Sequence, residues 1–366
     1  DVVYLDLVTT PMYYYAQIKL DIPAGIMVTA SHNPKDDNGF KFSYDYRGNA
    51  KGEMIEEFRD FVFAGEFDNG LGTLSSYDIR EEYIELHKSS LDFGEKRVKV
   101  VLDPGNGTAT TILNDLYSNF PIDFEIICGE SDPTFPNHHP DPCVEENLEM
   151  LKERVLETHA DIGLGFDGDG DRLGIVDEKG NYIATDKYMV MIIRDIIDKV
   201  EKKTFLYDVK CSKIIEDEVQ RLGGNCICYR TGNSYTKAKV KEEDLPFGGE
   251  LSGHVYFRDR WPGFDSGLYA GLRMLEILSK TDKKAKKIRI LMEDSNKFFG
   301  IIEVGINMSE LLASAITSIS VLEWLISEFE KLNIETHLAV IFAVTIVTVI
   351  LAYIMLVFGG VLPKRI

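Results

Sequence analysis

The feature that most constrains this chain is an apolar run, Ala160-Asp161-Ile162-Gly163-Leu164-Gly165-Phe166, that opens directly onto Asp167-Gly168-Asp169-Gly170-Asp171-Arg172. A short apolar run bounded by turn residues reads as a buried strand, and Leu173-Gly174-Ile175-Val176 resumes a strand beyond the loop. Three carboxylates at alternate positions, spaced by glycines that let the backbone curl, can converge on one hard divalent cation such as Mg2+. An acidic hairpin loop and an EF-hand are the alternatives. Arg172 stands where an EF-hand needs glycine, and residues 173–176 supply no ligands, which argues against the EF-hand.

The same alternation runs through the body of the chain. Strands are expected at 98–103, 124–128, 160–166, 205–210 and 226–229, and helices at 108–117, 145–159 and 212–222, the last ended by Gly223-Gly224. Leu148, Leu151 and Val155 share one helical face. The pattern implies an α/β fold with mainly parallel sheets covered by helices on both faces.

Two further segments carry chemistry. Thr29-Ala30-Ser31-His32-Asn33-Pro34, followed by Asn38-Gly39-Phe40-Lys41, sets a hydroxyl beside an imidazole and an amine in a turn-rich loop. That suits a serine carrying a phosphoryl group, although Ser, Asn and Pro also suit an ordinary turn. Gly248-Gly249-Glu250-Leu251-Ser252-Gly253-His254 precedes an aromatic strand, 255–257. In an extended segment Glu250, Ser252 and His254 would face one side and offer hydrogen-bonding groups to a ring of hydroxyls. A polar edge strand with a glycine bulge is the alternative.

Taken in order, these motifs resemble the α-D-phosphohexomutases, most closely the bifunctional phosphomannomutase/phosphoglucomutase type. The likeness continues through 101–107, 135–142, 206–212 and 261–278, and covers roughly residues 1–280. It implies successive three-layer α/β domains: a partial first domain at 1–94 with the phosphoserine loop, a second at 95–199 with the metal loop, and a third at 200–281 with the sugar-binding loop. It also implies an intramolecular phosphotransferase that moves phosphate between the 1- and 6-positions of mannose or glucose phosphates. Ser31 would carry the phosphoryl group and, with Asp167, Asp169 and Asp171, bind Mg2+. Arg172 would clamp charge, and Lys41 and His32 would move protons. Lys210, Asn233, Glu250, Ser252 and His254 would bind the sugar, and a hexose 1,6-bisphosphate would serve as activator and intermediate.

There are departures. Asn233 stands where the family has histidine, and Ser266 replaces an aspartate, which suits a helix cap. An early arginine-bearing segment and an Arg-x-Ser-x-Thr phosphate loop of a fourth domain are expected to be missing.

Charge separates two halves. The net charge is −20, yet residues 281–366 hold nine basic and nine acidic side chains, so the excess belongs to residues 1–280. Nothing in so acidic a body would neutralise a nucleic-acid backbone, so no nucleic-acid partner is expected. Five cysteines without a Cys-x-x-Cys fit a reducing cytoplasm, and Cys226 and Cys228 fall on one strand face, which suits core packing.

Residues 338–362 carry no Asp, Glu, Lys or Arg, long enough to cross a hydrocarbon core of about 30 Å, with a weaker apolar stretch at 298–319. Flanking lysines and arginines favour a helical hairpin with both ends in the cytoplasm. The segment 282–366 resembles part of a cyclin-M/CorC-type membrane domain associated with magnesium transport, on residues 285–298, 305–307 and 361–364. A membrane-tethered sugar-phosphate binding protein without turnover, and a fragment of a magnesium-transport membrane protein, are therefore alternatives. Both families are cut inside domains without a flexible linker, which suggests two unrelated reading frames joined near 280–284.

Overall fold

A computed structural model describes residues 1–44, 49–280, 324–329, 331–332 and 335–354. The chain divides into two compact units, Asp1–Asp282 and Lys283–Ile366.

The first unit opens with β1 (Val2–Tyr4), α1 (Thr10–Lys19), β2 (Gly25–Val28), β3 (Phe40–Ser43), α2 (Glu53–Ala64), β4 (Leu74–Ser76) and α3 (Arg80–Ser90). β1 pairs in parallel with β4, and β2 pairs antiparallel with β3, so residues 29–39 form the connection of a two-stranded ribbon. Thr9 caps α1 by accepting from the Met12 N–H, and Pro11 sits in the first turn where it displaces no helical bond.

Next come β5 (Val98–Asp103), α4 (Leu113–Tyr117), β6 (Ile122–Ile126), α5 (Glu149–Thr158), β7 (Ile162–Phe166), β8 (Leu173–Asp177), β9 (Tyr182–Ile183) and α6 (Thr185–Ile196). They build a sheet of order β6-β5-β7-β8-β9. β6, β5 and β7 are parallel, while β8 and β9 are antiparallel, so the sheet is mixed. The helix expected at 145–159 opens as a 3-10 turn, Glu145–Leu148, before α5, and its expected face is buried: Leu148 from the turn and Leu151 and Val155 from α5 pack with Val101, Ala160 and Val176.

β10 (Thr204–Asp208), α7 (Ile214–Arg221), β11 (Asn225–Tyr229), α8 (Asn233–Glu242), β12 (Phe247–Gly249), β13 (Val255–Phe257) and α9 (Gly267–Ser279) complete the unit. Their sheet runs β11-β10-β12-β13, with only β13 antiparallel. Ser266 caps α9 by accepting from the Tyr269 N–H. α9 returns to the earlier sheet, where Gly271 lies close to Tyr117, Leu164 and Phe166.

Several expectations are corrected. The helix expected at 108–117 starts as a 3-10 turn at Thr108–Thr111, where the Thr110 and Thr111 hydroxyls bond the carbonyls three residues back and compete with helical pairing. Cys226 and Cys228 lie on edge strand β11, one half-buried and one exposed, rather than in a core. Glu250 to His254 is a tight turn between β12 and β13, not an extended row. Glu250 N–H donates to the His254 carbonyl, and Gly253 sits at a φ of 91°.

In the second unit, the helix Thr336–Ile354 buries Ala339, Ala343 and Val347 at four-residue spacing, while Leu338, Ile341 and Phe342 are exposed. Among the described residues no helix is long and apolar enough to cross a membrane. The span expected at 338–362 falls partly on this helix, and its remainder lies outside the described residues, as do 285–298, 298–319 and the junction beyond Lys280.

Candidate active site

Ser31 projects from the β2–β3 connection at a φ of 56°, a left-handed conformation costly for a residue with a side chain. Local bonds hold it there: Ser31 N–H donates to Thr29 Oγ1 at 2.8 Å, and Asn33 N–H donates to the Ala30 carbonyl at 3.0 Å. The loop rests on the acidic β7–β8 connection. A Cβ at Gly168 would stand 2.3 Å from the Ser31 carbonyl oxygen, so only glycine permits this approach.

The approach brings Ser31 Oγ within 3.1 Å of Asp167 Oδ2 and 3.3 Å of His32 Nδ1. Asp167, Asp169 and Asp171 are fully buried, with one oxygen from each within 4.8 Å of the others. Lys41 reaches across from β3, its Nζ 2.7 Å from Asp169 Oδ2 and 2.6 Å from Asp171 Oδ2. Thr10 and Thr29 also donate to Asp169 Oδ2.

These partners set the protonation of the site. Burial, reinforced by Asp171 and Asp169, pushes the Asp167 carboxyl well above the usual carboxylate range. Burial would do the same to Asp169, but the Lys41 charge and the bonds from Lys41, Thr10 and Thr29 hold it well below that range. Burial disfavours the charge on Lys41, yet Asp169 and Asp171 outweigh it and raise its pKa. Burial, with Arg172 nearby, lowers His32, which is neutral near pH 7.

One lysine does not satisfy three carboxylates. Asp169 Oδ1 and Asp171 Oδ1 are buried without a hydrogen-bond partner, the latter 3.5 Å from His254 Nδ1. Unpaired buried carboxylate oxygens beside a serine hydroxyl fit an oxygen-seeking divalent cation.

Arg172 bridges to the β12–β13 turn. Its Nε lies 3.6 Å from Asp167 Oδ2 and donates to His254 Nε2 at 3.0 Å. His254 Nδ1 then carries the proton and faces Asp265 Oδ2 at 2.9 Å. Asn233, first residue of α8, donates to the same Asp265 oxygen at 2.5 Å. Glu250 accepts from Gly232 N–H, Thr236 Oγ1 and Ser252 Oγ.

Of the residues expected from sequence, the structure brings together Ser31, His32, Lys41, Asp167, Asp169, Asp171, Arg172, Asn233, Glu250, Ser252 and His254 in one linked network. Lys210 stays outside it, exposed in the turn after β10. Sequence reasoning missed Asp265, Lys237, Thr10 and Thr29 as members. Lys237 is partly buried, pairs with Asp265 at 3.1 Å and lies 3.6 Å from the centre of the Tyr14 ring. Thr29 lies in the serine loop itself, two residues before Ser31, whereas nothing in local spacing marks Thr10, Lys237 or Asp265, because each reaches the site from a different part of the chain.

Family models for phosphoglucomutase/phosphomannomutase α/β/α domains I, II and III match residues 1–69, 81–180 and 184–294. A model of the cyclin M transmembrane N-terminal domain matches residues 271–366. The chain is 37% identical over 282 residues to a phosphomannomutase/phosphoglucomutase of Pseudomonas aeruginosa, covering 77% of this chain and 60% of that protein. It is 36% identical over 287 residues to a phosphoglucomutase of Neisseria meningitidis, covering 78% and 62%. The crystal structure of a phosphoglucomutase/phosphomannomutase family protein from Burkholderia thailandensis superposes with a TM-score of 0.74 at 35% identity, over 79% of this chain and 64% of that one. The chain thus spans about three fifths of the length of the curated relatives it matches.

Proposed function

From the premise that the body of this chain belongs to the phosphoglucomutase/phosphomannomutase family, we propose that it interconverts hexose 1-phosphates and hexose 6-phosphates of glucose or mannose through a phosphoserine at Ser31. The single observation that carries this reading is the convergence of a strained serine on three buried carboxylates, two of them with unpartnered oxygens.

In this reading Asp167, Asp169, Asp171 and the Ser31 oxygen hold Mg2+, which neutralises charge on the phosphoryl oxygens. Phosphorylated Ser31 gives its phosphoryl group to the free hydroxyl of a hexose monophosphate, and that hydroxyl loses its proton. The hexose 1,6-bisphosphate then reorients and returns its other phosphoryl group to Ser31 Oγ. His32, neutral and 3.3 Å from Ser31 Oγ, is placed to take and return a proton. Lys41 and Arg172 offset charge, and Glu250, Ser252, His254 and Asn233 position the sugar ring. Lys210 joins the substrate from the turn after β10.

The roles divide over three segments, 1–94 for the phosphoserine, 95–199 for the metal and 200–281 for the sugar. A cytoplasmic enzyme fits substrates that are small phosphorylated sugars.

The test is conversion of glucose 1-phosphate or mannose 1-phosphate by the full chain with Mg2+ and a catalytic amount of hexose 1,6-bisphosphate, followed by phosphorus NMR. Appearance of the 6-phosphate supports the reading. Retained sugar-phosphate binding with no 6-phosphate contradicts it and favours a binding protein without turnover.

A further inference from the structure

A second cluster of metal-ligating side chains lies outside the acidic loop. Asp103 ends β5, Cys128 follows β6, and His138 belongs to the loop that comes after it. One ligand atom from each lies within 4.8 Å of the others. We propose that Asp103, Cys128 and His138 form a second metal site, for a borderline-soft divalent ion of the Zn2+ class, distinct from the oxygen-lined site at Ser31.

The surrounding bonds already orient each ligand. His138 Nδ1 lies 3.0 Å from the His139 carbonyl, which can only accept, so Nδ1 donates and Nε2 is the nitrogen that faces the cluster. That Nε2 stands 3.0 Å from Asp103 Oδ2. The other Asp103 oxygen accepts the Gly105 N–H at 2.9 Å, which fixes the carboxylate plane. Cys128 adopts a φ of 48°, unusual for cysteine, and its thiol side faces His138.

Donor type and geometry agree. Imidazole, thiolate and one carboxylate are the ligands zinc selects, with bonds of about 2.0–2.3 Å that place tetrahedral ligands about 3.3–3.8 Å apart. His138 Nε2 and Asp103 Oδ2 stand 3.0 Å apart, close to that spacing, and all three ligand atoms lie within 4.8 Å of one another. Water would occupy the fourth position.

The site would tie together the ends of two strands and the loop after β6. The turn that follows Asp103 also supports the acidic loop, since Thr108 N–H donates to the Gly168 carbonyl at 2.9 Å. Bound metal should therefore raise thermal stability.

The experiment uses the full chain, stripped of metal and held in excess Mg2+ so that the oxygen-lined site is occupied, then titrated with Co2+. A thiolate-to-cobalt charge-transfer band saturating at one equivalent is expected. Cys128→Ser should abolish the band and weaken binding by more than roughly 100-fold, while Cys228→Ser should leave it intact. In the unmodified chain, Zn2+ should protect Cys128 from alkylation, read by peptide mass. Absence of the band, its survival in C128S, or equal alkylation of Cys128 with and without Zn2+ would each overturn the proposal. The alkylation measurement decides even if the variant fails to fold.

Discussion

Ser31 Oγ donates to Asp167 Oδ2 across 3.1 Å, although 136 residues separate them in sequence. Asp167 also accepts, through Oδ1, the backbone N–H groups of Asp171 and Arg172. One carboxylate thus closes its own loop and faces the proposed phosphoryl carrier.

That double duty makes Asp167→Asn informative. The amide oxygen can still accept the two N–H groups, so the fold should survive, while the carboxylate oxygen that would hold Mg2+ beside Ser31 is lost. Turnover of hexose 1-phosphate should fall by about 10²–10³-fold with the thermal midpoint little changed. Unaltered kcat would remove Asp167 from the site.

Gly168→Ala addresses the close approach itself. The added carbon would stand 2.3 Å from the Ser31 carbonyl, and backbone rather than a flexible side chain must yield. Ser31 should be pushed off the acidic loop, with metal-supported activity lost and far-ultraviolet circular dichroism retained. Full activity in this variant would contradict the packing described here.

Lys41→Met tests charge balance. It leaves Asp169 and Asp171, almost wholly buried, without their shared cation. Breaking a buried pair by removing one partner costs about 3–5 kcal/mol, and saturating Mg2+ should restore part of this loss because it binds only the folded chain. Denaturant unfolding with and without Mg2+ measures both quantities.

How much of this was legible in the sequence depended on whether a feature was local. The acidic loop, the serine loop and the buried face of α5 follow from residue type and spacing within a few positions. The family resemblance carried the assignment of Glu250, Ser252 and His254, but alternation suggested an extended row. The chain instead turns at Gly253 to pair β12 with β13, and spacing alone cannot distinguish the two. Asp265 and Lys237 were not legible as site members because their contacts depend on how α8 and α9 dock.

His87 was equally invisible. It is fully buried among Tyr83, Trp261 and Tyr269, with ring centroids 4.4, 4.7 and 5.8 Å away. Burial lowers its pKa to about 3, the bond to the Tyr83 carbonyl opposing only part of that shift. The folded pKa lies below the unfolded value of about 6.5. The contribution of neutral His87 is therefore complete above about pH 6.5 and declines as pH falls toward 3. The wild-type thermal midpoint should drop across this window, and His87→Phe should flatten the drop. Parallel pH profiles for the two chains would exclude His87 as the source.

The central claim is that Ser31 carries the phosphoryl group. The most direct measurement is incubation of the full chain with ³²P-labelled glucose 1,6-bisphosphate and Mg2+, followed by mapping of the labelled peptide and a chase with unlabelled glucose 1-phosphate. The account predicts label on Ser31 that the chase removes into hexose phosphate. Label on another residue, or a Ser31→Ala chain that incorporates it equally, would contradict the account.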